Sequence, residues 1–270
     1  MTQRSKQSVA AILGSAFEGS FAESLELSPV DIKTQFGSVT LYKSEKRTNR
    51  TAYVIFRHGL PHRLLPNQIN YRAQAAALKQ VNCGALLINS SVGVMDADLP
   101  LYKPMLITDL LMPENRLPDG STCTMFPEPS DDHGHLLIKD GLFSSKLNDW
   151  LIGKHQADIH QTEKGLVFAY AGGPRGKTPA ENRMWAQLGG QVNSMTLAPE
   201  IVLANELEIP ATALVVGHKY SVPDIDNPAE DEIENTLTNA RSATESILRS
   251  FLMEAEPVQF KNEIYRFKHD

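Results

Sequence analysis

The stretch Arg57 to Gly93, RHGLPHRLLPNQINYRAQAAALKQVNCGALLINSSVG, sets two polar clusters suited to anions beside two apolar strands. Arg57-His58-Gly59 follows the run Tyr53-Val54-Ile55-Phe56, and Asn89-Ser90-Ser91 follows Ala85-Leu86-Leu87-Ile88. Between them the repeated alanines and Leu78 predict a helix over 71–81, so the stretch reads as strand, helix, strand. In an open α/β sheet, ligands collect at the carboxyl ends of strands, so both clusters are expected to face one crevice.

Working outward, Ser8 to Leu13 is a continuous apolar run suited to a buried parallel strand, and it stops at Gly14-Ser15. Phe36 to Ser44 alternates in polarity and is expected to pair antiparallel with the next strand across Lys46 to Arg50, read as a solvated charged turn. Leu106 to Met112 predicts one strand, and 113–132, rich in Pro, Gly, Asp and Ser, predicts a long loop. Further strands are expected over 165–171, 191–196 and 211–216, the last broken by Gly217. Thr178-Pro179-Ala180-Glu181 is a capping box opening a helix whose Met184, Trp185 and Leu188 are expected to be buried. Ala198-Pro199-Glu200 opens another, and 230–251 has helical periodicity. With no linker or repeat, the expectation is a single α/β domain over 1–270, with a mixed, mostly parallel sheet flanked by helices.

A net charge of −6 argues against nucleic-acid and anionic-membrane partners, which select basic surfaces. Two cysteines, Cys83 and Cys123, are too few for a secreted disulfide scaffold. Arg4 and Lys6 precede too short an apolar run for a signal peptide, and no run reaches spanning length. The expected location is cytoplasmic, which leaves the sequons at Asn49 and Asn89 without sugar. Asp131, Asp132, His133, His135, His155 and His160 raise a metal reading, which is set aside because their spacing matches no closed zinc pattern. No dinucleotide fingerprint occurs, so no organic cofactor is expected.

Arg57-His58-Gly59, His62, Pro66, Asn70-Tyr71, 75–79 and Gly93, followed in order by Gly173-Pro174-Arg175, Thr178 to Glu181, Leu188-Gly189-Gly190, Met195-Thr196 and Pro199-Glu200, resemble the trimeric nucleoside phosphorylase family, and within it the methylthioadenosine phosphorylase branch. The resemblance implies a homotrimer that cleaves a nucleoside with inorganic phosphate as co-substrate. It implies phosphate binding by Ser15, Arg57, His58, Ser90, Ser91 and Thr196, and a ribose resting on Met195. It also implies that 113–132 reaches a neighbouring subunit, where His133 and His135 match the family's 5′-pocket histidine equally well.

The chemistry suits those residue types. Phosphorolysis needs phosphate held at C1′ while the base departs with the bonding electrons, so positioning and electrostatics dominate, and orientation alone is worth roughly 7–11 kcal/mol. Arg57 offers a planar fork that cannot lose its charge, and His58 is expected to add a donor. Three departures from the family's pattern sit at the leaving-group end. Gly176 stands where the family has a stacking phenylalanine, His218 where it has an aspartate or asparagine facing purine N7, and Tyr220 where the adenine-selective branch has a second aspartate. Ala16 also replaces a glycine of the phosphate loop. A protonated His218 can donate to the departing base, alongside Arg57 as the second catalytic candidate, or it can be a packed or exposed residue. Lys177 and Lys219 add positive charge suited to an acidic leaving group. Two other readings follow from the altered base end, a nucleoside- or anion-binding paralogue and a nucleoside hydrolase, and the retained phosphate set speaks against the hydrolase.

Overall fold

The computed structural model describes residues 7–17, 19–47, 49–130, 133–223, 225–228 and 230–266. Arg4, Lys6, Thr48, Asp131 and Asp132 of the readings above lie outside them, as do the side chains of Ile233 and Leu237. In chain order the elements are β1 (Ser8–Leu13), α1 (Gly19–Ser24), β2 (Leu27–Thr34), β3 (Gly37–Ser44), β4 (Ala52–Phe56), α2 (Tyr71–Gln80), β5 (Cys83–Val94), β6 (Pro104–Leu106), β7 (Asp109–Leu111) and β8 (Gly134–Leu137). There follow α3 (Ser145–His155), β9 (Val167–Tyr170), α4 (Pro179–Gln187), β10 (Val192–Ser194), α5 (Ala198–Glu206), β11 (Ala211–Tyr220), α6 (Glu230–Glu254) and β12 (Glu263–Arg266).

β1 is buried along its whole length, as its unbroken apolar run requires, and it pairs parallel with β4 on one side and β5 on the other. Next to β5 on its far side runs β11, also parallel. Antiparallel β2 and β3 extend one edge, and β10, β9 and β7 extend the other. Ten described strands therefore make one mixed sheet whose centre is parallel. Helices cover both faces. On one, α2 and α5 pack over Leu78, Ile88, Ile201 and Val215; on the other, α1, α3 and α6 pack over Leu13, Phe21, Leu151 and Phe251. β8 and β12 form a separate ribbon. No helix among the described residues is long and apolar enough to cross a membrane.

Five expectations need correction. Leu106 to Met112 is two short strands with different partners, because β6 pairs with β11 and β7 with β9. The Asn89-Ser90-Ser91 cluster lies within β5 rather than beyond it, since pairing with β11 carries the strand on to Val94. Gly217 does not end β11: the ladder slips by one residue between Gly217 and Lys219, leaving His218 as a bulge. The charged turn is not wholly solvated, for Arg47 is 8% exposed and donates to the Leu252 and Ala255 carbonyls at 2.7 and 2.8 Å, satisfying the C-terminal end of α6. The apolar side of α4 is not core either, because Met184 and Leu188 are 46% and 57% exposed and only Asn182 of that helix is buried.

Candidate active site

The sheet opens where β1 ends. β1 pairs with β5 as far as Ile12 opposite Ile88, and β10 takes up that side of β5 only at Gly93 and Val94. Residues 89–92 thus have no neighbouring strand on that side, and a cavity of about 870 Å³ opens there. Ser15, Arg57, His58, Ser90, Ser91, Met195, Thr196, Gly176, His218 and Tyr220 all line it. Every site residue expected from the sequence is brought to this one space by six separate segments.

At its inner end Arg57 is 1% exposed and held on two sides. Its Nε donates to Glu200 Oε1 at 2.5 Å and its Nη2 to Glu200 Oε2 at 2.7 Å, a bidentate pair, while Nη1 donates to the Asn89 carbonyl at 2.9 Å. A guanidinium carries five N–H groups, so one on Nη1 and one on Nη2 have no bond to the described protein. Nη1 also lies close to the turn after β1: a Cβ on Gly14 would sit 3.3 Å from it, so glycine here lets the backbone approach the guanidinium. Ser90 Oγ is 3.4 Å from both Thr196 Oγ1 and Ser194 Oγ. Bonds that long leave these hydroxyls able to turn toward a bound anion.

Glu200 was not legible as a site residue. It sits in the first turn of α5, where a carboxylate is an ordinary complement to the helix N-terminus, so nothing in the pattern marks it as the partner of a residue 143 positions away. Beside it, Leu197 caps α5 with φ +73°, a left-handed backbone for a fully buried leucine. Strain of about 1–3 kcal/mol at such a residue persists only where packing over-determines it. Here it joins Thr196, facing the cavity, to the helix that carries Glu200.

His58 differs from its expected role. Its Nδ1 stands 2.7 Å from the Leu64 carbonyl, which can only accept, so Nδ1 carries the proton and Nε2 is the acceptor of the neutral ring. Burial, and then the Arg57 cation, hold its pKa below 6.5 against the opposing Leu64 bond. At neutral pH His58 therefore donates from Nδ1 to Leu64 and offers Nε2 only as an acceptor.

The outer end of the cavity is built differently. The segment 173–177 carries Gly176, where an added Cβ would meet nothing within 4 Å, so this side of the cavity is open. His218 sits on the bulge in β11, lining the cavity yet largely open to solvent, and partial desolvation there, followed by the neighbouring Lys219, lowers its pKa below 6.5 against an opposing bond with the Val92 backbone. The expected imidazolium is thus disfavoured near neutrality. Tyr220 lines the cavity but donates its hydroxyl to the Leu99 carbonyl at 3.0 Å, and its backbone N–H goes to Asn227. That hydroxyl is committed to the fold. Lys177 is partly buried in the same wall. Met195 packs so close to Gly173 that a Cβ there would lie 2.6 Å from its sulfur, which presses the thioether against the cavity floor.

Of the histidines outside the cavity, His133 stacks at 5.0 Å on Phe126 and accepts from the Ser130 N–H, and His135 faces Tyr265 across the β8–β12 ribbon.

Comparison with known proteins bears on this arrangement. The family model of the phosphorylase superfamily matches residues 8–253. A probable S-methyl-5'-thioinosine phosphorylase of Methanopyrus kandleri is 34% identical over 192 residues, 70% of either chain. An S-methyl-5'-thioadenosine phosphorylase of Ciona intestinalis is 25% identical over 253 residues, covering 90% of this chain and 88% of the other. Among solved structures, a methylthioadenosine phosphorylase from Schistosoma mansoni in complex with adenine superposes with a TM-score of 0.74 over 90% of both chains at 20% identity, a likeness of fold.

Proposed function

The chain belongs to the phosphorylase superfamily, and from that premise we propose that it transfers a pentosyl group from a purine or 5′-methylthio purine nucleoside to inorganic phosphate. The products are a free base and ribose 1-phosphate or its 5-methylthio counterpart. The observation that carries this reading is the fixed guanidinium of Arg57. Glu200 and Asn89 hold it from behind while two N–H groups have no acceptor among the described residues, and Ser15, Ser90 and Thr196 line the same space.

Phosphate is already anionic, so it needs no strong base to attack C1′. Glu200 cancels the net charge of Arg57, so the anion is held chiefly by directed N–H and O–H groups, a preorganised arrangement that costs no rearrangement during reaction. Neutral His58 accepts the P–OH proton of hydrogen phosphate at Nε2, which fixes which oxygen faces the sugar. Met195 supports the ribose from below, and the base departs toward Gly176, Lys177 and His218. No organic cofactor takes part in this scheme.

The finer parts of the reading are a homotrimer and a cytoplasmic location. The uncovered apolar side chains of Met184 and Leu188 support the first, and the two buried free thiols, Cys83 and Cys123, support the second. The test is to incubate the protein with purine nucleosides, with and without phosphate, and to assay free base and sugar phosphate. Cleavage only with phosphate is expected. Release of unphosphorylated ribose without phosphate would mean a hydrolase, and size measurement by light scattering checks the trimer.

A further inference from the structure

Lys177 is a cavity cation to which the phosphorolysis scheme assigns no chemical step. It lies between the Gly173-Pro174 turn and the start of α4, partly buried, and its side chain reaches the cavity wall. Glu181, the acid nearest in sequence, is already committed. Its two oxygens take Nη1 and Nη2 of Arg175 at 2.9 and 2.6 Å, and one also takes the Thr178 N–H at 2.8 Å. No carboxylate bonds Lys177 Nζ among the described residues. The other charges facing it are Lys219 and Arg175, with Glu114 and Arg116 across an adjoining cavity that Lys177 also borders. Partial burial with Lys219 and Arg175 close by, offset in part by Glu181, brings the ammonium down to about 8.

Its surroundings favour one kind of base. Among the described residues no aspartate or glutamate side chain lines the main cavity, whereas Lys177, His218 and Lys219 cluster at its outer end. Two amides there have their oxygens engaged: Asn182 Oδ1 accepts from Asn193, and Asn227 Oδ1 accepts from the Tyr220 N–H. The N7 edge of a 6-oxopurine offers two acceptors, N7 and O6, while that of adenine offers one acceptor and an amino donor. A lysine matches the first and leaves the adenine amino group facing cations.

We propose that Lys177 is the proton donor to the leaving base and that the cavity selects 6-oxopurine nucleosides over adenine nucleosides, an assignment that rests on the phosphorolysis reading above. In the step, a phosphate oxygen forms the bond to C1′ as the C1′–N9 bond breaks, and the pair of that bond stays on the purine. The Lys177 ammonium gives its proton to N7, leaving neutral base and neutral amine. The sugar phosphate monoanion then releases its proton, and the amine is reprotonated. No oxidant or further reactant enters.

The experiment compares wild type, Lys177→Met and Lys177→Arg on inosine, adenosine and 7-methylguanosine, whose cationic base leaves neutral and needs no proton. Wild type is expected to favour inosine over adenosine at least about tenfold in kcat/KM, with activity falling above about pH 8. Lys177→Met should lower inosine cleavage about 100-fold, abolish that alkaline fall and leave 7-methylguanosine cleavage within about threefold, while Lys177→Arg keeps part of the inosine rate. Equal losses on inosine and 7-methylguanosine would mean that the lysine only supports the loop, and would overturn the assignment, as would a wild type that prefers adenosine or a Lys177→Met that matches wild type. A wild type that cleaves no nucleoside with phosphate would overturn the phosphorolysis reading and this assignment with it.

Discussion

The two ends of the cavity are made of different material. At the inner end, every group lies within β5, within two residues of the end of β1, β4 or β10, or in the first turn of α5, and Arg57 has partners on two sides within 2.9 Å. At the outer end the walls are the segment 173–177 and a bulged strand, one position opens onto space, and the cations outnumber their partners. A reactant that is always phosphate can be met by a rigid frame. The departing base is met by parts that can be exchanged without disturbing the sheet, which is where substrate choice can vary at least cost to the fold.

Removing the anchor of the inner end gives the largest effect. Arg57→Ala should lower phosphate-dependent kcat/KM by about a thousandfold. It should also destabilise the fold by about 3–5 kcal/mol, because Glu200 is then left buried and unpaired. The double change Arg57→Met with Glu200→Met should recover most of that stability, read by urea unfolding, and none of the turnover. Recovery of turnover would dissolve the contrast between the two ends. Next in size, Thr196→Ala should raise the KM for phosphate about tenfold and shift stability by less than about 1 kcal/mol, since its hydroxyl makes only a 3.4 Å contact.

At the outer end the expected effects are smaller and of opposite kind. Gly176→Phe enters open space, so it should fold normally and lower the KM for a purine nucleoside about fivefold through stacking. A loss of folding would show that this end is as tightly packed as the other. The smallest effect is on pH. His58 and His218 both have folded values below 6.5, so the unfolded chain binds more protons as the pH falls through that value. Stability should therefore decline on acidification, with a lower urea midpoint at about pH 5.5 than at about pH 7.5, and an unchanged midpoint would show that neither ring is held neutral.

Which features were legible follows from how local their cause is. β1, α2 and the capping box of α4 appear where expected because apolar periodicity and a threonine three residues before a glutamate act over one or two turns. The apolar stripe of α4 was legible as a stripe, but not what covers it. Arg47 in a charged turn looked solvated, and only the arrival of α6 at its side explains its burial.

By itself the sequence determined the parallel centre of the sheet and the helices that cover it, because burial periodicity and turn chemistry are written in neighbours, while its resemblance to the nucleoside phosphorylases pointed to ten of the residues that line the cavity. Only the tertiary structure decided that Glu200 would grip Arg57, that His58 would spend its proton on Leu64 and that His218 would stand out on a bulge. Those three outcomes depend on atoms brought together from distant segments or on the register of one strand against another, and no local pattern encodes either.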